Sequence, residues 1–238
     1  VVTITLPPLR AREGDVNIRS IALQSSASGS SEREGFFAEA TSNSTADARK
    51  GTPFSASGFS GYEKSTSSFE SSSTANAGSR VGGKGVAVLA TKGSVTLQGS
   101  DIEAGEDGAL ISAGKDVNII AAYDSTQSRS SSEQHRFGIS ADASTEGVMG
   151  GLKTQGGTLQ TEDSSRTAQT SSISSGGGIS VTAGGTLKRE GAQFNAKGDI
   201  SFEADRIEDI AARNETSSSQ TGRTYEAGIS AGVTSGLG

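Results

Sequence analysis

Between residues 85 and 122 apolar residues recur two apart in short bursts: Val86 with Val88, Val95 with Leu97, Ile102 with Ala104, and Val117 with Ile119. A spacing of two puts those side chains on one face of an extended segment, so each burst predicts a β-strand with one buried side. Gly, Asp or Lys-Gly turns separate the bursts every seven to ten residues, and the succession returns over 178–212 as ISV, FNA, ISF and RIEDI. Such strands are too short to form a stable hairpin sheet alone. The step from VTL to VNI is 22 residues and that from ISV to ISF is 21. This suits one coil of a parallel β-solenoid, in which successive coils stack about 4.8 Å apart.

A longer period lies over the short one. DVNI stands at 15–18 and again at 116–119, and the offset of 101 carries Ser30, Ser31, Glu32 and Phe36 onto Ser131, Ser132, Glu133 and Phe137. An offset of 99 then matches Glu63 with Glu162, and an offset of 90 matches Val117 with Ile207 and the GIS at 138–140 with the GIS at 228–230. Gly99, Ile102 and Ala104 match Gly191, Phe194 and Ala196. The predicted organisation is one repetitive segment over 1–238: a partial unit 1–84, a unit 85–177 and a partial unit 178–238. Both ends cut through a unit and the chain opens without Met or an apolar leader, which suggests a piece from inside a longer protein.

Each unit has a second half, near 25–77 and 125–175, made of Ser, Thr and Gly with isolated apolar residues. Composition changes the picture here. The chain holds 41 Ser and 33 Gly but is only 32% hydrophobic and 5% aromatic, so these halves could be mobile for want of apolar surface to bury. The position-by-position match between copies favours long Ser/Thr-lined strands or extended arms instead. Net charge is -6, which gives no electrostatic footprint for nucleic acid. Cysteine is absent, which removes disulfides, thiolate metal sites and cysteine nucleophiles.

The order G-x-V-x-L-x-G-S-x-I-x-A-G at 93–105, A-G-K-D-V-N-I-x-A-A at 113–122, a Ser-rich run at 128–133 and G-I-S-A at 138–141 resembles the haemagglutinin repeats of filamentous-haemagglutinin-type exoproteins. The resemblance covers nearly the whole chain; VVTITLPPLRA at the start fits it least. It implies an all-β fold, a right-handed parallel β-helix, secreted by a Gram-negative bacterium through an outer-membrane two-partner transporter and displayed at the cell surface. The Ser-rich type of repeat resembles the second repeat region of contact-dependent growth inhibition proteins. That implies a role in moving a C-terminal toxin across the outer membrane of a target cell, with that membrane or a surface receptor as partner.

Candidate chemistry adds little. His135 is the single histidine, its counterpart in the first copy is Glu34, and a surface position is expected rather than a catalytic triad. Glu103, Glu106 and Asp107 in one turn, and Glu203, Asp205, Glu208 and Asp209 in another, are the groups a calcium-dependent β-helix polysaccharide lyase would need. A solvated-turn role is expected instead, because GGKG at 82–85 and GGG at 176–178 lack the Asp of the nonapeptide calcium pattern. The run GVMGGLKTQGG at 147–157 lacks the G-K-[ST] ending of a phosphate loop; a flexible turn is expected, with a membrane-contacting hairpin as the other use of its glycines. Asn43-Ser-Thr and Asn214-Glu-Thr match a glycosylation triplet that arises by chance in such a chain. No catalytic residue, cofactor or metal is assigned. The expected function is a non-catalytic repeat segment aiding contact-dependent toxin delivery, with an adhesin or biofilm fibre as the first alternative and a lyase as the second.

Overall fold

The computed structural model describes residues 8–44 and 54–234, and all the regular structure in them is strand. The first seven residues of VVTITLPPLRA, and Thr45 of the Asn43 triplet, lie outside the described residues. The strands are β1 (Leu9–Ala11), β2 (Val16–Arg19), β3 (Ile21–Ser44), β4 (Phe54–Ala77), β5 (Arg80–Ala90), β6 (Val95–Gln98), β7 (Asp101–Ala113), β8 (Val117–Ile120) and β9 (Ala122–Ser144). They continue as β10 (Gly147–Gln169), β11 (Ser172–Ser175), β12 (Ile179–Ala183), β13 (Thr186–Glu190), β14 (Gln193–Ala196), β15 (Ile200–Glu203), β16 (Arg206–Ile210) and β17 (Glu215–Thr234).

The short strands stack into two parallel sheets, one of β1, β5, β7, β11, β12, β14 and β15 and one in the order β16-β13-β8-β6-β2. Val95 faces Val117 and Ile179 faces Ile200, so the steps of 22 and 21 residues seen in the sequence are the steps between stacked coils. Other steps are much longer. Val16 faces Val95, and Val117 faces Leu187, because a pair of long strands is inserted between those coils. The repeated unit thus reads as two coils followed by one long excursion.

The inward positions form columns of like residues. Val95, Val117 and Leu187 stack in one, Ile102 and Ile173 in another, and Val88, Ile111 and Val181 in a third. All eight are at most 1% exposed. Burying a side chain of this size contributes about 1.5–3 kcal/mol, and β-branched residues suit a pleated surface. The Leu97 and Ile119 column then changes chemistry: Ile119 faces Arg189, which faces Asp209. The Arg189 guanidinium donates to both carboxylate oxygens of Asp209 at 2.6 Å and lies 4.5 Å from the ring centre of Phe202. The final coil is correspondingly open, with Ile200, Ile207 and Ile210 each 40–45% exposed.

The long strands form a third sheet in the order β17-β10-β9-β4-β3. Among the described residues the Ser-rich halves are thus strand, β3 and β4 in the first copy and β9 and β10 in the second. Isolated Ser, Thr and Gly suffice because each strand satisfies its backbone groups against a neighbour. Side chains also tie the strand roots together. The Asn76 amide N–H donates to Asp124 Oδ1 at 2.6 Å, Asn76 Nδ2 donates to the Tyr123 carbonyl at 2.7 Å, and Gln169 Nε2 donates to Asp124 Oδ2 at 2.9 Å. Buried Ser171 donates to the Ile120 carbonyl at 2.8 Å, and buried Ser100 to that of Gln98.

These donors, the Asn76 amide first, hold the Asp124 carboxyl below its ordinary value. A depressed carboxylate value adds stability that is complete above the unfolded value of about 3.9 and is lost as pH falls through the lower folded value. Asp124→Asn is expected to lower stability at neutral pH and to flatten its decline in acid. Denaturant melts at neutral pH and at about pH 3 check this; parallel declines in the two proteins would contradict it.

The chain divides into two compact units. The first holds the coils and the strand roots, up to Ser26 with 72–127 and 164–217; the second holds the remainder of the long strands, 27–71, 128–163 and 218 onward.

Candidate functional site

The distal part of the long-strand sheet, all of it in the second unit, is the surface on which side chains gather. Close backbone approaches fix its register. Gly61 lies against Gly138, Gly151 against Ser230 and Gly228 against Lys153. The Thr41 and Ser57 hydroxyls meet at 2.6 Å, Arg129 meets Glu162 at 2.5 Å, and a two-residue turn, Thr145–Glu146, joins β9 to β10. Every neighbouring pair in this sheet is antiparallel.

That register gives the two faces different chemistry, since successive residues point to opposite sides. One face carries Phe37, Glu39, Phe59, Glu63, Arg136, Lys153 and Glu226. Arg136 donates through Nε to Glu63 at 2.6 Å and through Nη1 to Glu39 at 2.8 Å, and lies 4.9 Å from the centre of the Phe37 ring. Phe37 packs edge-on against Phe59 at 4.8 Å, and Lys153 pairs with Glu226 at 2.9 Å. Arg136→Ala would leave two carboxylates without their shared cation. It is expected to cost this sheet about 1–2 kcal/mol, read as faster amide exchange in β4 and β9 with the coil strands unchanged.

The other face is free of charge over four successive rows. Phe36, Tyr62, Phe137, Thr154 and Ala227 line up across it, followed by Ala38, Ser60, Ile139, Leu152 and Ile229. Next come Ala40, Gly58, Ala141, Gly150 and Ala231, then Ser42, Ala56, Ala143, Val148 and Val233. Phe36 is 91% exposed, Ile229 75%, Val233 80% and Ile139 65%. The rings of Phe36 and Tyr62 meet edge-on at 5.8 Å. Charge returns one row away, where Tyr62 hydrogen-bonds Glu34, which raises its phenol above the ordinary value, and Lys64 pairs with Glu32.

His135 lies in that polar border. One ring nitrogen meets the Tyr225 hydroxyl and the other lies 2.7 Å from Glu133, with Gly156 between the strands leaving room for the approach. Its partners are a phenol and a carboxylate, and its side chain is 50% exposed. The acidic groups sit in strands more than in turns: Glu103, Glu106 and Asp107 lie within β7, Glu203 ends β15, and Glu208 and Asp209 lie in β16. Several face arginine, with Arg80 3.4 Å from Glu103, Arg206 3.0 Å from Glu208 and Arg189 on Asp209. The 147–157 run is not a flexible turn but the start of β10. Its glycines admit the neighbouring backbones, since a Cβ on Gly151 would stand 2.1 Å from the Ile229 carbonyl oxygen. Asn214 uses its side chain to accept from the Ala168 amide at 2.8 Å. Sequence reasoning missed the charge-free face; its signals were the Phe36 and Phe137 match and the GIS match that carries Ile139 and Ile229.

No solved structure matches the chain. Two Burkholderia pseudomallei proteins named tRNA nuclease CdiA are each 29% identical over 176 residues, which is 74% of this chain and 14% and 13% of theirs. An Escherichia coli (strain STEC_O31) protein of the same name is 31% identical over 143 residues, 58% of this chain and 4% of its own. The chain thus spans a small fraction of the length of the relatives it matches. The family model described as hemagglutinin repeat matches residues 59–162 and 152–238, stretches that each take in a long-strand segment and part of the coil ladder. With its repeats built as coils interrupted by long strand pairs, this chain belongs to the hemagglutinin-repeat family.

Proposed function

We propose that the chain is a non-catalytic repeat segment of a large secreted, cell-surface exoprotein that takes part in contact-dependent delivery of a toxin across a target cell's outer membrane. The observation that carries the proposal is the likeness over 74% of the chain to proteins named tRNA nuclease CdiA. The match covers a small share of those proteins, so the nuclease activity in their name is not carried over to these repeats. The coils, taken as a right-handed β-helix, supply stiff length. The long strands are the Ser/Thr/Gly-rich arms and supply the surface that meets the target membrane or a surface receptor. An outer-membrane transporter of the two-partner kind exports the parent protein. An adhesin is the second reading, favoured by the exposed aromatic rings of Phe36 and Phe137.

Deleting residues 85–177 from the parent protein separates the two. Gly85 faces Gly108, and Ala109 in turn faces Ile179, so Gly178 occupies the same place in its coil as Gly85. Joining Lys84 to Gly178 therefore removes two coils and one strand pair without shifting the register, and solenoid coils contact mainly their neighbours. Secretion and cell attachment should persist while toxin entry is abolished, scored by competition between donors beside an adhesion count. Lost adhesion with intact inhibition would establish the adhesin reading instead.

A further inference from the structure

We infer that the charge-free face of the long-strand sheet is a self-association surface, on which a second copy of this chain packs sheet to sheet. The inference goes beyond the delivery role and does not depend on it.

Three observations support a second copy as the occupant. The first is size. Five strands about 4.8 Å apart and four rows about 6.8 Å apart cover roughly 600 Å² on each copy, so a pair would bury more than the roughly 1,000 Å² that a specific interface needs. Of the face's twenty positions only Ser42, Ser60, Tyr62 and Thr154 carry a polar group, and exposed, mostly apolar surface on this scale marks a site of association.

The second is charge. The four rows contain no ionisable group other than the Tyr62 phenol, so identical faces meet without like-charge repulsion, whereas the opposite face presents Arg136, Glu39, Glu63 and Lys153 and could not meet itself in this way.

The third is shape. A row of alanine and glycine alone, Ala40, Gly58, Ala141, Gly150 and Ala231, forms a trough across the sheet. The ridge of Ile139, Leu152 and Ile229 lies on one side of it and Val148 with Val233 on the other. A two-fold axis makes such a surface self-complementary, each ridge entering the other copy's trough. A surface built for lipid would gain little from a trough of Gly and Ala, because transfer energy scales with apolar area.

The test uses the full 238-residue chain, with sedimentation velocity over a concentration series. Wild type should dimerise reversibly. Ile139→Glu and Ile229→Lys should each weaken the dimer by at least about tenfold, with unchanged circular dichroism because both side chains are largely exposed. Ser140→Glu, on the opposite face, should leave it intact. Mixing Ile139→Glu with Ile139→Lys should restore a heterodimer, which a general loss of folding could not do. Flotation with phosphatidylethanolamine and phosphatidylglycerol vesicles is run in parallel. A wild-type monomer that floats with vesicles and loses this in Ile229→Lys would overturn the proposal in favour of lipid. A monomer at every concentration with no vesicle binding would overturn it outright.

Discussion

Val117→Asp is expected to lower the unfolding free energy by about 3–5 kcal/mol, the cost of leaving an uncompensated charge in the interior. Val117 is 0% exposed and stands in its column between Val95 and Leu187. Its neighbours above and below are aliphatic, so no donor is at hand for the carboxylate. Asn118, the next residue, points to the opposite side of β8 and is partly exposed. Asn118→Asp should change stability by less than about 0.5 kcal/mol. Urea melts of the two variants beside wild type measure the contrast. Equal midpoints would mean that the coil register is wrong.

Gly99→Ala should cost about 2–3 kcal/mol although it adds one methyl group. Gly99 has φ +51°, a left-handed conformation that costs an L-residue about 1–2 kcal/mol. Its amide donates to the Ile120 carbonyl at 3.0 Å, and a Cβ there would stand 2.4 Å from the Ala122 Cβ. The position has a counterpart. Gly191 has φ +59°, donates to the Ile210 carbonyl at 3.0 Å, and would place a Cβ 2.5 Å from the Ala212 Cβ. At both places a coil that turns tightly rests on an alanine of the coil whose chain departs into a long strand. Combining Gly99→Ala with Ala122→Gly should recover the steric part of the loss and leave the backbone part. Gly14→Ala is the control, since a Cβ there meets nothing within 4 Å, and it should be close to neutral. A double variant no more stable than Gly99→Ala would show that the Ala122 contact is not the cause.

The coil ladder was legible because its signal is local. Triplets such as VTL and VNI alternate in a core that admits one face, and a fixed step of 21 or 22 residues declares the stacking. The long strands were legible only through the match between copies, because Ser, Thr and Gly carry no apolar period and the order of these strands comes from pairing with others many residues away. The charge-free face was invisible for a related reason. Ile139, Leu152 and Ile229 form one ridge yet are isolated apolar residues in three separate Ser- and Gly-rich stretches, and only the antiparallel register brings them together. The 147–157 run was misjudged as a turn because glycine usually breaks strands; here it is needed where backbones approach closely. Arg189 could not be foreseen as the continuation of the Leu97 and Ile119 column, since the repeat aligns types of residue and the substitution changes type.

The two kinds of step between coils also set an order of events when the chain folds. Val95 must find Val117 across 22 residues, but Val16 must find Val95 across 79. Loop closure grows costlier only slowly with length, so the longer search adds about 1 kcal/mol, yet it is exposed to more wrong pairings with like strands on the way. Zipping β9 onto β10 from the tight Thr145–Glu146 turn brings their far ends together and makes a long separation behave as a short one. Adjacent coils such as β5–β6 and β7–β8 are thus expected to condense as doublets, each long strand pair closing before the next doublet docks. A chain emerging on one side of a membrane could then fold in instalments, each doublet offering the finished edge on which the next one forms.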